Sequence, residues 1–269
     1  MQPVALTAFY CCALRAADAA SPSPVCGDTF AARFIDEATR SKIKPLLRFR
    51  GPAAGNVARH RIIDDMIRDS IKEDPFRRVI LLGAGFDSRA FRLSGGRWWE
   101  FDDSALFALK EKHLPADSAP NPLVRCPTDF RRERLSDRLA PLAGDDPALV
   151  VLEGVSMYLP PAILTELATA ARVRLPRAHF VCDLMTTAFC RRFGRGLLRE
   201  LRSLGAEFAI TDTHARLAIE AAGYRPVSIT SIVGRAREAG TARIPGWLFN
   251  TVLRELRDGY AVWRFQVSD

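Results

Sequence analysis

Small and acidic residues follow several apolar runs of the sequence, at positions where an open α/β sheet would bind a ligand. An apolar run over 78–82 enters the turn Gly83-Ala84-Gly85. Glycines permit a tight turn and let a ligand approach the backbone at the carboxyl end of a strand. The next apolar run ends in Glu100-Phe-Asp102, which places a carboxylate where the ribose diol of a nucleotide would lie. The pattern favours a nucleotide-like ligand, although glycine turns also end strands for steric reasons alone.

The residues after the glycine turn separate two kinds of nucleotide ligand. A dinucleotide fingerprint has a third glycine and places the diphosphate at a helix N-terminus, but Ser88 stands at that position, with Asp87 directly before it. A carboxylate there would repel a diphosphate. The turn therefore favours an adenosyl ligand without phosphates, namely S-adenosylmethionine, over a nicotinamide dinucleotide.

The elements that would position these residues alternate along the chain. Nearly unbroken apolar runs are typical of parallel strands buried on both faces, and segments with apolar residues at three- and four-residue spacing are typical of helices. The predicted strands are 78–82, 98–101, 122–126, 148–152, 178–182, 226–233 and 260–267; the predicted helices are 28–49, 55–74, 104–114, 131–139, 161–173, 212–222 and 246–256. This alternation predicts an α/β fold with a doubly wound sheet.

Composition and charge limit the classes of protein to which the chain can belong. The 269 residues are 48% hydrophobic and 26% charged, as in a globular protein. The net charge of +8 comes from scattered basic residues without a run of five or six, so a nucleic-acid partner is not favoured. The six cysteines form no CxxC pair, which indicates neither a disulfide framework nor a metal site. Since no apolar stretch approaches about 20 residues, and no basic residue precedes the run 4–14, we expect a cytoplasmic protein without a membrane partner.

Five ordered motifs together resemble the leucine carboxyl methyltransferase family in its bacterial form. The segment 79–93, VILLGAGFDSRAFRL, is similar to the glycine motif of that family, and the others are 58–64 (ARHRIID), 100–102 (EFD), 128–130 (TDF) and 152–160 (LEGVSMYLP). The position of His60 is usually Thr in the family. The resemblance implies a seven-stranded Rossmann-like methyltransferase sheet whose last strand is antiparallel, and S-adenosyl-L-methionine as the cofactor.

The resemblance also implies a role for single residues. It assigns cofactor-binding roles to Arg59 (methionine carboxylate), Gly83, Ala84 and Gly85 (backbone approach), Asp102 and Glu100 (ribose), Asp129 and Phe130 (adenine) and Glu153 (methionine ammonium), and it places Tyr158 beside the transferred methyl group. Asp87 is a further candidate for direct contact with the cofactor at the turn. Structural alternatives stay open for several of these residues. Arg59 and Glu100 could face solvent, Asp129 could cap a helix, Asp87 could pair with Arg89, and Tyr158 could serve packing alone.

The same pattern predicts one domain over residues 1–269 and the type of methyl acceptor. The domain divides into a helical cap (1–75), a cofactor-binding core (76–185), a substrate lid (186–210) and a C-terminal part of the sheet (211–269). The lid contains Phe189, Arg191, Arg192, Phe193, Arg195 and Arg199, which could hold an acidic substrate or form only an amphipathic surface helix.

A carboxylate acceptor needs no general base, and none of the four histidines lies in a motif that would supply one. We therefore expect methylation of a carboxylate on a small molecule or peptide; the alternatives are a carboxylated tRNA base and a hydroxyl group of a secondary metabolite. The oligomeric state does not follow from the sequence.

Overall fold

Seven strands form one sheet in the computed structural model, which describes residues 3–130, 132–203, 205 and 212–268. The strands are β1 (Arg78–Leu82), β2 (Arg97–Asp102), β3 (Leu123–Pro127), β4 (Ala148–Leu152), β5 (Ala178–Met185), β6 (Tyr224–Ser231) and β7 (Tyr260–Val267). Their order is β3-β2-β1-β4-β5-β7-β6. The first five are parallel, and β7 runs antiparallel to β5 and β6. The predicted fold class and the antiparallel last strand are confirmed.

The strands at the centre of the sheet are apolar because both of their faces are covered. Every residue of β1 and β4 is buried. Leu81 on β1 lies between Glu100 on β2 and Val151 on β4. The carboxyl ends of β1, β2 and β4 therefore meet at one edge, where the order of the strands reverses direction and open α/β sheets bind ligands.

Helices cover both faces of the sheet and its N-terminal side. They are α1 (Pro3–Ala19), α2 (Glu37–Leu47), α3 (Arg50–Glu73), α4 (Arg89–Arg92), α5 (Ser104–His113), α6 (Leu135–Arg138), α7 (Pro161–Arg174), α8 (Thr187–Phe189), α9 (Arg195–Ser203), α10 (Asp212–Ala221), α11 (Ile232–Glu238), α12 (Gly246–Asn250) and α13 (Arg254–Asp258). A π-helical turn over Cys190–Gly194 joins α8 to α9. No helix within the described residues has the length and apolar character needed to cross a bilayer.

Several predicted boundaries were wrong, and local capping explains two of them. The helix expected over 28–49 begins at Glu37, because the Asp36 side chain accepts a hydrogen bond from the Thr39 N–H and caps it there. The strand expected to run to 233 ends at Ser231, whose hydroxyl caps α11. The helix expected over 131–139 is a single turn, α6, and the one expected over 246–256 is split into α12 and α13.

The N-terminal helices pack on the sheet and on the glycine turn. Ile62, Ile63 and Ile67 of α3 belong to the same buried cluster as residues of β1. On α1, Phe9 lies 4.7 Å from Phe86, ring centre to ring centre. The proposed subdivision of the chain remains a prediction, but these contacts make α1 and α3 part of the surroundings of the turn.

The predicted lid packs against the N-terminal helices over its described part; residues 204 and 206–210 lie outside the described residues. Arg48, which directly follows α2, forms a 2.7 Å ion pair with Glu200 on α9. Leu201 on α9 is buried in a cluster with Tyr10 of α1 and Leu46 of α2. The segment therefore adjoins the helices nearest the candidate site, while its function as a lid stays a prediction.

Candidate active site

Backbone and side-chain hydrogen bonds bind the glycine turn to the end of β2. The N–H groups of Gly83 and Ala84 both donate to the Phe101 carbonyl, at 2.8 and 3.2 Å, and the Gly85 N–H donates to Asp102 Oδ2 at 2.6 Å. Burial raises the pKa of Asp102 above its ordinary value, against hydrogen bonds from the N–H groups of Gly85 and Asp103. Asp102 is thus hydrogen-bonded to the glycine turn, and its carboxylate oxygens retain lone pairs that can accept hydrogen bonds from a diol.

Gly83 and Gly85 are required for different reasons. Both have positive φ, +71° and +51°, which side-chain-bearing residues adopt with strain. A Cβ at Gly83 would lie 2.5 Å from Val155 Cγ2, whereas the nearest atom to a Cβ at Gly85 is Ala8 Cβ at 3.9 Å. A side chain at position 83 would therefore clash with Val155, whereas a side chain at position 85 would face α1, the helix that covers the turn.

This difference predicts unequal costs for two matched substitutions. We expect Gly83→Ala to lower the free energy of unfolding by more than Gly85→Ala, because the first adds a steric clash to backbone strain of about 1–3 kcal/mol and the second adds strain alone. Denaturant unfolding of both variants measures the difference. Equal losses would show that Val155 moves aside without cost.

Glu153 follows β4 and is held by three basic side chains. Its Oε2 lies 2.7 Å from Arg89 Nη2, and its Oε1 accepts from Arg59 Nε at 3.1 Å. His60 Nδ1 is 3.2 Å from the same carboxylate. Burial alone would raise the pKa of Glu153, but Arg89, His60 and Arg59 hold it well below its usual range. Glu153 is therefore an anion that keeps a small exposed surface, 13% of its side chain.

Arg59 reaches from α3 to the ends of β4, β5 and β7. Its Nη1 lies 3.1 Å from Asp183 Oδ2 and 2.7 Å from the Tyr260 hydroxyl, which itself donates to Asp183 Oδ2 at 2.7 Å. The other oxygen of Asp183 accepts from the Gly154 N–H at 2.6 Å. A Cβ at Gly154 would lie 3.0 Å from Arg59 Nη2, so this glycine lets the guanidinium lie against the backbone. Arg59 is buried rather than solvated.

A buried ionic network extends from Arg89 towards α1. Arg89 is fully buried and pairs with Asp64 at 2.6 Å and with Asp87 at 2.5 Å, besides Glu153. Arg92 also binds Asp64, at 2.9 Å. The chain of contacts continues through Ser88 and Asp28 to Arg15, which donates to the Phe86 carbonyl at 2.7 Å. Charged residues between positions 15 and 92 therefore hold the glycine turn in place.

Charged groups surround both ring nitrogens of the neutral His60. Its Nε2 lies 2.9 Å from Arg92 Nη2, and its Nδ1 lies 2.7 Å from Arg89 Nη2 and 3.2 Å from the Glu153 carboxylate. Burial and the neighbouring Arg89 lower the pKa of His60 below its ordinary value.

His60, Asp87 and Glu153 bring potential metal-ligand atoms within 4.8 Å of one another. The Arg89 guanidinium binds both of these carboxylates. The two carboxylates are therefore already paired with the cationic side chain of Arg89, and the geometry of the cluster is that of an ion-pair network.

The two histidines with lowered pKa values predict acid sensitivity. Burial and the neighbouring Arg264 lower the pKa of His179 to about 4, and Arg264 Nε donates to its Nδ1 at 2.8 Å. When the pH falls through 6.5, the ordinary value for histidine, the unfolded chain takes up protons that the folded chain excludes. We therefore expect the free energy of unfolding to be greatest above about pH 6.5 and to fall towards pH 4.

Chemical denaturation across this pH range tests the expectation. The variant His179→Asn should show a shallower fall between pH 6.5 and 4, because it removes about one of the protons involved. An unchanged slope in this variant would contradict the assignment to His179.

Glu100 requires a correction. Its side chain is fully buried, and Oε2 pairs with Lys110 at 2.7 Å and with Arg125 at 2.9 Å, beneath α5. It does not face solvent, and of the two acids predicted to bind a ribose, Asp102 is the one whose carboxylate is hydrogen-bonded to the turn. The sequence interpretation failed because a carboxylate on an interior strand can be neutralised by cations that lie 10 and 25 residues away.

The remaining predicted residues lie around the same edge. Asp87 pairs with Arg89, the structural alternative considered for it. Asp129 is half-exposed after β3, with its N–H bonded to Glu133 Oε1 at 2.9 Å, and it does not cap α6, whose first flanking residue is Arg134. Phe130 packs on the main core cluster. Tyr158 ends a 3₁₀ turn and shares a hydrogen bond with Thr7 of α1.

The model of one protein family, described as leucine carboxyl methyltransferase, matches residues 8–172. The match spans more than half of the chain, from within α1 to the last turn of α7. It includes the glycine turn, Asp102, Asp129 and Glu153. The chain belongs to the leucine carboxyl methyltransferase family.

Two bacterial relatives match parts of the chain. A Streptomyces coelicolor protein that carries the name of an S-adenosyl-L-methionine-dependent methyltransferase is 33% identical over 196 residues, 64% of this chain and 63% of that protein. A Frankia alni protein with the same kind of name is 34% identical over 136 residues, 46% of this chain and 43% of its own length. The chain thus matches less than two thirds of the length of these relatives.

Solved structures share the fold of this family member. A Thermobifida fusca protein whose crystal structure is titled as that of a methyltransferase aligns over 93% of this chain and 96% of its own, with a TM-score of 0.63 and 15% identity. A Streptomyces avermitilis protein of the DUF574 family aligns over 95% and 96%, with a TM-score of 0.58 and 12% identity. At such identities the likeness concerns the fold.

Sequence reasoning missed several members of the site of this leucine carboxyl methyltransferase family member. They are Arg15, Asp28, His60, Asp64, Arg92, Asp183 and Tyr260, while Arg89 was considered only as a partner of Asp87. A usable signal existed for Asp183, which interrupts the apolar run of β5 with a charge. Tyr260 begins β7, and the others lie on helices or loops, where charged residues are common.

Proposed function

We propose that the chain is an S-adenosyl-L-methionine-dependent methyltransferase that methylates a carboxylate of a small molecule or peptide. The observation that carries the proposal is the meeting of Asp102, Glu153 and Arg59 around the glycine turn, at the carboxyl ends of β2 and β4. Family membership and the names of the relatives support the cofactor.

The residues present fit this cofactor in charge and in hydrogen-bonding type. Asp102 offers acceptors for a ribose diol, Glu153 an anion for an ammonium group, and Arg59 a guanidinium for a carboxylate. The turn carries acidic residues, Asp87 and Asp102, so a diphosphate would meet repulsion. Asp129 and Phe130 lie after β3, next to the strand of Asp102, where they could border an adenine ring.

Bound S-adenosylmethionine supplies an electrophilic methyl group, so the protein must chiefly orient the acceptor and exclude water. A carboxylate is already an anion at neutral pH and needs no base. Both ring nitrogens of His60 are in close contact with side chains of the network, namely Glu153, Arg89 and Arg92. It is therefore engaged as a structural group, which supports an acceptor that is ionised beforehand.

The lid segment supports an acidic acceptor. Arg191, Arg192 and Arg195 line a pocket of about 270 Å³ beside the π-helical turn. Arg192 also stacks on Phe193 at 5.3 Å. A cluster of guanidiniums beside aromatic rings is suited to carboxylates, and it could guide an acidic substrate to the site.

Titration calorimetry tests the cofactor. We expect S-adenosylmethionine and S-adenosylhomocysteine to bind, and NAD not to bind. Absence of binding of the first two, or tighter binding of NAD, would overturn the proposal.

The acceptor is tested by incubating methyl-labelled cofactor with a cell extract and the protein. A methyl ester is labile in base, so label released as methanol at high pH supports carboxyl methylation. Stable label would point to a hydroxyl acceptor, and label in RNA that is sensitive to ribonuclease and to salt would point to a tRNA base.

A further inference from the structure

Tyr260 joins the guanidinium of Arg59 to the carboxylate of Asp183 through a single hydroxyl. The hydroxyl donates to Asp183 Oδ2 at 2.7 Å and accepts from Arg59 Nη1, also at 2.7 Å. A hydroxyl can donate and accept at the same time, which neither a guanidinium nor an ionised carboxylate can do. Arg59 Nη1 also lies 3.1 Å from Asp183 Oδ2. The three groups therefore form a closed ring of contacts in which each fixes the other two.

The same contacts leave one nitrogen of Arg59 for a ligand. Nε donates to Glu153, and Nη1 donates to Asp183 and Tyr260. Nη2 donates no hydrogen bond to the residues that the structure describes, yet it is not one of the fully buried polar atoms without a partner. It lies beside Gly154, which has no side chain to cover it, and 8% of the Arg59 side chain stays exposed. Nη2 is therefore the donor that Arg59 can offer to a carboxylate.

Asp183 is fixed by the chain that follows β4. Its Oδ1 accepts from the Gly154 N–H at 2.6 Å, and its backbone carbonyl accepts from the Ser156 hydroxyl at 2.8 Å. The side chain of Asp183 is fully buried. It can therefore hold Tyr260 and Arg59 in a constant position relative to the end of β4, where the methionine end of the cofactor would lie.

The first turn of the lid segment packs against the ring of Tyr260. The Phe189 ring lies 5.6 Å from the Tyr260 ring, centre to centre. The Phe189 N–H donates to the Thr186 hydroxyl at 3.0 Å, and the Thr186 N–H donates to the Gly259 carbonyl at 2.8 Å. Gly259 directly precedes Tyr260, and a Cβ there would lie 2.7 Å from Phe189 Cβ. The start of the lid segment and the start of β7 therefore pack tightly together, which keeps the Tyr260 ring in place.

We propose that Tyr260 is a positioning residue for the cofactor: its hydroxyl holds the Arg59 guanidinium so that Nη2 meets the methionine carboxylate of S-adenosylmethionine. The proposal rests on the proposed function, and it gives a residue of the last strand a part in the selection of the cofactor. Because Arg59 is the group assigned to the carboxylate, binding of a ligand that lacks this carboxylate should not depend on the hydroxyl.

Titration calorimetry on the full chain with three ligands tests this role. The ligands are S-adenosylmethionine, S-adenosylhomocysteine and decarboxylated S-adenosylmethionine, which keeps the ammonium group and lacks only the carboxylate. We expect Tyr260→Phe to raise the Kd of the first two by about 10-fold, the scale on which groups that orient the ligands of a metal act, and to leave the Kd of the third unchanged. A purely structural role would change all three Kd values alike.

Two further variants accompany this measurement, and thermal melting shows whether each variant is folded. Phe189→Leu removes the ring that packs on Tyr260 but keeps the hydroxyl, so it should raise the Kd of the two carboxylate-bearing ligands by a smaller factor. Tyr224→Phe is the matched control, because it removes a buried hydroxyl from β6 in the main core cluster. It should leave all three Kd values unchanged.

Parental affinity of folded Tyr260→Phe for S-adenosylmethionine, or an equal loss for the decarboxylated ligand, would overturn the role of Tyr260. If Tyr260→Phe does not fold, unchanged affinities in Phe189→Leu would overturn it. Equal binding of S-adenosylmethionine and its decarboxylated form by the parent protein would also overturn it, while the proposed function would stand. If the parent bound neither S-adenosylmethionine nor S-adenosylhomocysteine, the proposed function would fall, and the role of Tyr260 with it.

Discussion

Arg89→Ala is expected to lower the free energy of unfolding by about 3–5 kcal/mol. The substitution leaves Asp64, Asp87 and Glu153 without the guanidinium that binds all three, in a place where Arg89 itself is fully buried. Removing one partner of a buried ion pair costs more than the pair contributes, because the remaining charges lose their compensation. Urea denaturation followed by circular dichroism measures the loss.

The control for this variant is an arginine at the surface. Arg40 pairs with Glu37 at 3.9 Å with both side chains mostly exposed, so Arg40→Ala should cost less than about 1 kcal/mol. Arg89→Lys should recover part of the loss, since it restores the charge without the fork. If Arg89→Ala cost no more than Arg40→Ala, the network would not be a stabilising centre of the fold.

Asp102→Ala is expected to weaken binding of S-adenosylmethionine by at least about 100-fold, provided that the proposed function holds. Two hydrogen bonds from a ribose diol to a carboxylate contribute about 1.5–3 kcal/mol each, and a tenfold change in Kd corresponds to about 1.4 kcal/mol. The fold should persist, because the lost bonds to the N–H groups of Gly85 and Asp103 lie at the end of a strand. Calorimetry gives the Kd, and thermal melting verifies folding.

The adjacent aspartate separates binding from stability. Asp103 caps α5 by accepting from the Ala105 N–H at 2.8 Å. Asp103→Ala should therefore cost about 1 kcal/mol of stability while the Kd remains unchanged. Equal affinity of Asp102→Ala and the parent protein would show that the ribose is bound elsewhere.

The fold could be predicted from the sequence where the burial of a segment produces a recognisable pattern of apolar residues. The β1 and β4 strands were predicted with their observed ends, because runs of four or five consecutive apolar residues, Val79–Leu82 and Ala148–Leu152, indicate interior strands. The strand order was not predicted, because hydrophobic periodicity contains no information about neighbours. The helix expected over 131–139 was predicted too long: only Leu135–Arg138 forms α6, and Arg138 binds Glu133 and the Pro127 carbonyl outside it.

The candidate site was predictable only in part. The strand-end residues Asp102 and Glu153 lie where position along the chain implies position in space. The sequence suggested the local pair of Asp87 and Arg89, but it could not show that Arg89 also binds Asp64 and Glu153, because these contacts join residues distant in the sequence; Asp64 and Arg89 are 25 positions apart. Glu100 shows the converse: a strand-end acid that looks like a ligand is neutralised inside the core.

The contact between Arg59 and Tyr260 spans 201 positions of sequence, and this has a consequence for the order of folding. The chain is synthesised from its N-terminus, so Arg59 emerges from the ribosome long before Asp183, and Tyr260 emerges last. Until β7 joins the sheet, the guanidinium lacks a hydroxyl that orients it, and β5 has an unpaired edge. We therefore expect completion of the candidate site to be a late event of folding, because it requires contacts between residues that are distant in the sequence.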